Sequence, residues 1–122
     1  MYTTKYFMEV RNIKNEDQYA ELVKFMREKD LFGYVFEEGK YIDCTHEAMF
    51  GSFEEVRWAE RPIVMIMISE KFPNMTFEIT GDGESYGDLW KEYYHEGEIE
   101  CCSGEIIYEQ PRKIQWNELV IF

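Results

Sequence analysis

The stretch that most constrains the fold runs through residues 61–97, RPIVMIMISEKFPNMTFEITGDGESYGDLWKEYYHEG. Residues 63–68 form an unbroken apolar run, IVMIMI. It is too short to span a membrane, which takes about 20 apolar residues, so it belongs in a protein core. β-Branched Ile63, Val64, Ile66 and Ile68 favour a strand. The flanks favour a helix. Pro62 suits a first helical turn, where its missing N–H is not needed. Glu60 before the run and Lys71 after it match the helix dipole, and Pro73 forbids continuation. The flanks decide, and the pattern predicts a helix over about residues 59–71. Next, Met75, Phe77 and Ile79 alternate with Thr76, Glu78 and Thr80, the pattern of a strand with one wet face. Gly81-Asp82-Gly83 predicts a hairpin turn, because glycine accepts positive φ. Residues 86–94 would return as the partner strand, anchored by Trp90.

Elsewhere the same two periods recur. Residues 5–11 alternate as a first strand. Asn15 is placed to cap a helix, with Gln18 completing a capping box. Tyr19, Leu22, Val23, Phe25 and Met26 then follow helical spacing. Residues 34–43 read as two strands about a Glu38-Gly39 turn, the second extended by residues 44–50. A helical turn and a strand compete for residues 52–58. Two short strands, residues 98–102 and 105–108, flank Ser103-Gly104. Residues 113–122 end strongly apolar with Trp116, Leu119 and Ile121, so this segment is expected to dock in the core or in a homodimer interface. The whole reads as one α+β domain spanning residues 1–122, a mostly antiparallel sheet packed against two helices.

Trp58, Pro62 at a helix start, the run Ser69-Glu70-Lys71-Phe72-Pro73, Phe77 in a strand and Gly87 in an acidic turn carry a resemblance. Together they resemble the small phage and plasmid proteins of the Api92-like group, over roughly the middle third of the chain. The resemblance implies a ferredoxin-like split βαβ fold and a mobile-element origin. It brings no catalytic residue with it.

Charge is the feature that points outward. The chain has 25 acids against 13 Lys and Arg, a net charge of −12. Such a balance repels nucleic acid and anionic membranes and attracts basic surfaces. The excess is concentrated: residues 72–111 hold ten acids and the single base Lys91. On a strand, Glu96, Glu98 and Glu100 would form a row at about 6.6 Å intervals, twice the strand rise. A row of like charges repels itself, so an external cationic partner would relieve it. Asp88 would add to the row, and Trp90, Tyr93 and Tyr94 would supply aromatic anchors. The expectation is a non-enzymatic, cytoplasmic interaction protein that binds a basic protein surface as a nucleic-acid mimic. With the implied mobile-element origin, an inhibitor of host defence such as an anti-CRISPR is its concrete form. The plainer reading is that acidic faces confer solubility.

The rival class is a small-ligand or metal-binding domain, or an enzyme. Cys44 and His46 would share a face if they lay on one strand, as a nucleophile and its base do. No Gly-rich oxyanion loop stands near them. Asp82, Glu84 and Asp88 surround a glycine-bearing turn that suggests a hard-cation loop, but the twelve-residue ligand pattern is missing. The string GDGESYG lacks the lysine of a phosphate-binding loop. Cys44, Cys101 and Cys102 lack zinc-ligand spacing, and no signal-peptide pattern precedes them, so they read as thiols in a reducing setting. No metal or cofactor is expected.

Overall fold

A computed structural model describes residues 2–103. In chain order the elements are β1 (Thr4–Arg11), α1 (Glu16–Glu28), β2 (Lys40–Ile42), β3 (Glu47–Phe50), α2 (Arg61–Lys71), β4 (Thr76–Gly83), β5 (Leu89–His95) and β6 (Glu98–Ser103). The strands form one six-stranded sheet in the order β2-β3-β1-β4-β5-β6. Every neighbouring pair is antiparallel. The protein is thus α+β, with two helices and one antiparallel sheet among the described residues. Neither helix is long and apolar enough to cross a membrane.

The local signals explain both helices. Asn15 Oδ1 accepts from the Gln18 N–H at 2.9 Å, and Gln18 Oε1 reaches back to the Lys14 N–H at 2.8 Å. That is the capping box, shifted by one residue at its return bond. Glu16 and Asp17 in the first turn and Arg27 in the last complement the dipole. Residues 63–68 are helical as their flanks dictate, with Pro62 in the first turn of α2. The β-branched residues did not win because Pro62 and Pro73 bracket a length suited to three helical turns.

Strand alternation separates two faces. Tyr6, Met8 and Val10 of β1, Ala48 and Phe50 of β3, Phe77 and Ile79 of β4, and Tyr94 of β5 are buried. Against them pack Leu22 and Met26 of α1, Met65 and Ile68 of α2, and Leu31, Val35, Phe36 and Trp58 from the connections. The opposite sheet face carries Phe7 and Met49, both exposed, and a run of ion pairs centred on Glu78.

Several sequence expectations fail for identifiable reasons. Gly81-Asp82-Gly83 is not a turn but the end of β4, and residues 84–88 make the turn. Gly81 lies opposite Trp90, and a Cβ there would sit 2.0 Å from the Trp90 ring. The glycine is needed for close approach, not for positive φ. Residues 34–37 form turns and isolated bridges around Phe32 and Phe36 rather than a strand. Residues 43–46 are the turn between β2 and β3, with His46 at φ 58°. Residues 52–58 are neither helix nor strand, but bridge β1 through Thr4 and Val56. The strand expected at residues 105–108 and the docking or dimer role expected of residues 113–122 lie outside the described residues.

The two-face division gives a direct check. Phe77→Ala should cost about 3–5 kcal/mol, since it opens a cavity in a packed core. Phe7→Ala, one strand away on the open face, should cost less than about 1 kcal/mol. Urea denaturation of the two variants measures both.

Candidate partner-binding site

The acidic residues singled out by the sequence fall on the β5–β6 hairpin and its flanks. The turn is two residues long, Glu96 and Gly97, with φ of 50° and 80°. Positive φ at both central positions matches the right-handed twist of the strands it joins. The Gly97 N–H donates to Ser69 Oγ at 2.9 Å, which ties the turn to α2. A Cβ at position 97 would also press on the Glu70 side chain at 2.8 Å.

The hairpin's helix-side face holds Trp90, Glu92 and Tyr94. Glu92 is 7% exposed and lies between two aromatic inward positions. Its carboxylate is matched by Arg61 from the first turn of α2, whose Nε and Nη2 donate at 2.8 and 2.9 Å. The Tyr94 hydroxyl donates to the same carboxylate at 2.7 Å. The Arg61 guanidinium lies 4.5 Å from the Trp90 ring centroid and 5.8 Å from that of Tyr6. Burial works against the Arg61 charge, but hydrogen bonding and attraction from Glu92 outweigh it and hold its pKa above the ordinary arginine value. Burial, reinforced by Glu92, pushes the Tyr94 phenol well above its usual range. A two-pronged guanidinium–carboxylate pair stacked on aromatic rings fixes the orientation of both elements.

The opposite face is organised by a second carboxylate. Glu78 of β4, also 7% exposed, accepts from Arg11 of β1 and Lys91 of β5, each at 3.2 Å. Arg11 further contacts Glu9 at 3.2 Å and Glu47 at 3.8 Å. The middle of this face is therefore neutralised internally. Burial raises the Glu78 pKa, but hydrogen bonds and attraction from Lys91 and Arg11 outweigh it, and the net position is below the ordinary value.

Uncompensated charge lies at the hairpin end. Tyr93, His95, Glu96, Glu98, Ile99 and Glu100 line a cleft of about 350 Å³. Cross-strand pairing places Glu100 opposite Tyr93 and Glu98 opposite His95. His95 Nε2 lies 3.1 Å from Glu96 Oε1, and its Nδ1 lies 2.9 Å from the Met75 carbonyl oxygen. Glu98 and Glu100 form no ion pair among the described residues. An aromatic wall beside unpaired carboxylates can hold a guanidinium or ammonium group by charge and by ring stacking.

Of the seven partner-binding residues expected from sequence, the fold brings four together: Tyr93, Glu96, Glu98 and Glu100. The row itself is shorter than expected, because Glu96 sits in the turn rather than on the strand. Tyr94 is fully buried and cannot anchor a partner. Trp90 faces α2 and Arg61. Asp88 lies at the far end of β5, where its carboxylate accepts from the Tyr2 hydroxyl. Asp82, Glu84 and Asp88 do not form a cation loop. Glu84 accepts from the N–H and hydroxyl of Thr3, and no group of three potential ligands converges among the described residues. Cys44 and His46 sit in the β2–β3 turn, not on a strand with a common face. Cys44 and Cys101 are free thiols at opposite edges of the sheet.

Sequence reasoning missed the Arg61–Glu92 pair. The signal was present: a carboxylate at an inward position between Trp90 and Tyr94 demands a cation from the covering helix. No protein-family model matches the chain, and no curated protein or solved structure shows significant similarity to it.

Glu78 gives a pH test. A depressed carboxylate pKa contributes stability that is present above the unfolded-state value, about 4.3 for Glu. That contribution is lost as pH falls through the folded-state value. Arg11 and Lys91 are more than a third exposed, so the contribution is at most about 1 kcal/mol. Glu78→Gln should therefore be less stable than wild type near neutrality, with the gap closing towards about pH 3. Stability curves that stay parallel from neutral to acid pH would contradict the assignment.

Proposed function

We propose that this is a non-enzymatic interaction protein that receives a basic segment of another protein at the open face of its β5–β6 hairpin. One observation carries the proposal: Tyr93, Glu96, Glu98 and Glu100 share a cleft in which Glu98 and Glu100 have no cationic partner among the described residues. On the same sheet face Glu9, Glu47 and Glu78 are all paired. Acids around Glu78 are thus neutralised within the sheet, whereas Glu98 and Glu100 stand beside an aromatic ring without an ion pair among the described residues. Arginine or lysine side chains of the partner would enter the cleft, stacking on Tyr93 and pairing with Glu98 and Glu100.

The partner is read as a nucleic-acid-binding protein, whose basic channel the hairpin would occupy as a mimic. The resemblance through Trp58, Pro62, residues 69–73, Phe77 and Gly87 favours a mobile-element source, and with it inhibition of host defence, as an anti-CRISPR acts, in the cytoplasm. The succession β1-α1-β2-β3-α2-β4 with strand order β2-β3-β1-β4 supports a ferredoxin-like split βαβ unit. The β5–β6 hairpin extends that unit beyond β4.

The test is affinity capture from a host lysate with wild type and with Glu98→Lys/Glu100→Lys, followed by elution with duplex DNA. Specific partners should be lost from the variant, displaced by DNA and weakened at least about tenfold by raised salt. Partners that the variant retains, or that DNA and salt leave bound, would contradict the reading.

A further inference from the structure

We propose that His95 is a proton switch for the acidic cleft: the imidazolium disfavours a basic segment, and the neutral ring admits it. The inference rests on the reading of the cleft as a receiver of basic side chains, and it names what regulates that site.

His95 is the last residue of β5 and lines the cleft. Both of its ring nitrogens face oxygen acceptors. Nδ1 lies 2.9 Å from the Met75 carbonyl oxygen, and Nε2 lies 3.1 Å from Glu96 Oε1. A neutral imidazole has one N–H, so it can donate to one of these oxygens and must turn a lone pair towards the other. Only the imidazolium donates to both. The arrangement therefore changes when the proton leaves. The two contacts are not equally easy to give up. The Met75 oxygen belongs to the backbone at the start of β4, and its contact with His95 is part-buried. The Glu96 side chain is 63% exposed and sits on the hairpin turn, free to swing into water. Loss of the proton thus leaves Nδ1–H on Met75 and frees Glu96.

The charges facing His95 set the sign of the effect. Across β6 its register partner is Glu98, and Glu100 and Tyr93 line the same cleft. From α2, Glu70 lies against the turn at Gly97. From β4, Met75 and Thr76 offer neutral oxygens. Beyond them Arg11 of β1, the register partner of Thr76, is held by Glu9, Glu47 and Glu78. No lysine or arginine lines the cleft among the described residues. The protonated ring puts a positive charge beside Glu98 and occupies Glu96. The neutral ring leaves three carboxylates to face the partner. Histidines exchange their proton between about pH 5 and 8, a range in which ordinary glutamates stay ionised. Affinity for a basic segment should therefore rise with pH across that range. By linkage, a bound guanidinium disfavours the proton on His95 as much as the proton disfavours the guanidinium.

The experiment has two arms, both on the full chain. Nitrogen NMR of the histidine rings should show neutral His95 as the Nδ1–H tautomer. Calorimetric titration with an N-acetylated, histidine-free arginine peptide at constant ionic strength should give binding at least about threefold tighter at pH ~8 than at pH ~5.5. His95→Gln should make the affinity independent of pH. His46→Asn, a change in the exposed β2–β3 turn that keeps a residue tolerant of positive φ, should leave the pH dependence in place. Peptide binding that ignores pH, a pH dependence that survives His95→Gln, or a neutral His95 in the Nε2–H form would each overturn the switch and leave the cleft a receiver of cations. Failure of the peptide to bind at either pH would overturn the reading of the cleft, and the switch with it.

Discussion

The pairing of Arg61 with Glu92 is the interaction on which the rest of this architecture depends. The two helices cover one face of the sheet, and α2 lies against β5 and β6 as well, where Tyr94 joins the apolar core. The β5–β6 hairpin reaches that core through Tyr94, and polar contacts to α2 fix its position further. Arg61 supplies one from the first turn of α2, and Ser69 supplies a second tie from its last turn. Both contacts are polar, and both are satisfied. That combination fixes geometry more than it adds stability, since a buried ion pair roughly offsets its own desolvation. Trp90, packed against Arg61 and laid over Gly81, closes the joint.

The attached hairpin has two chemically opposite faces. On the helix side, Trp90 lies against the Arg61 guanidinium and Tyr94 donates to Glu92, the carboxylate that Arg61 pairs with. On the open side, Tyr93 meets Glu98 and Glu100, which form no ion pair among the described residues. The Arg11–Glu78–Lys91 ladder separates the acidic end from the rest of the sheet and cancels the charge between them. A net charge of −12 is thus not spread evenly. It is cancelled locally around Glu78, while Glu98 and Glu100 of β6 form no ion pair among the described residues.

Much of this was legible in the sequence, for reasons that lie in short-range chemistry. The Asn15–Gln18 capping box, the Pro62 and Pro73 brackets and the alternation of residues 75–80 each specify an element locally. The location of the acid excess pointed to the hairpin that carries Glu96, Glu98 and Glu100. The expectations that failed depended on neighbours distant in the chain. Gly81 reads as a turn glycine until Trp90 is seen crossing it. Tyr94 reads as a surface aromatic until the strand phase shows that it shares a face with Glu92, not with Glu98. Glu96 reads as part of a strand row, yet Gly97 beside it forms the turn. Residues 34–37 carry β-branched and aromatic side chains, but these serve the core from turns and bridges around Phe32 and Phe36. For Tyr94 the side-chain period was readable and its phase was not, because phase is set by cross-strand register.

Whether Arg61 and Glu92 act as one unit to hold the hairpin is tested most directly by a double-mutant cycle. Arg61→Met, Glu92→Gln and the double variant would be compared by urea denaturation. Removing one partner strands a buried charge, or a buried acceptor without its cation, at a cost of about 3 kcal/mol or more. The double variant should then lose little more than either single one, a coupling of at least about 1 kcal/mol. Single-variant losses that add to within about 0.5 kcal/mol would show that the two residues act independently, and would contradict their role as a single joint.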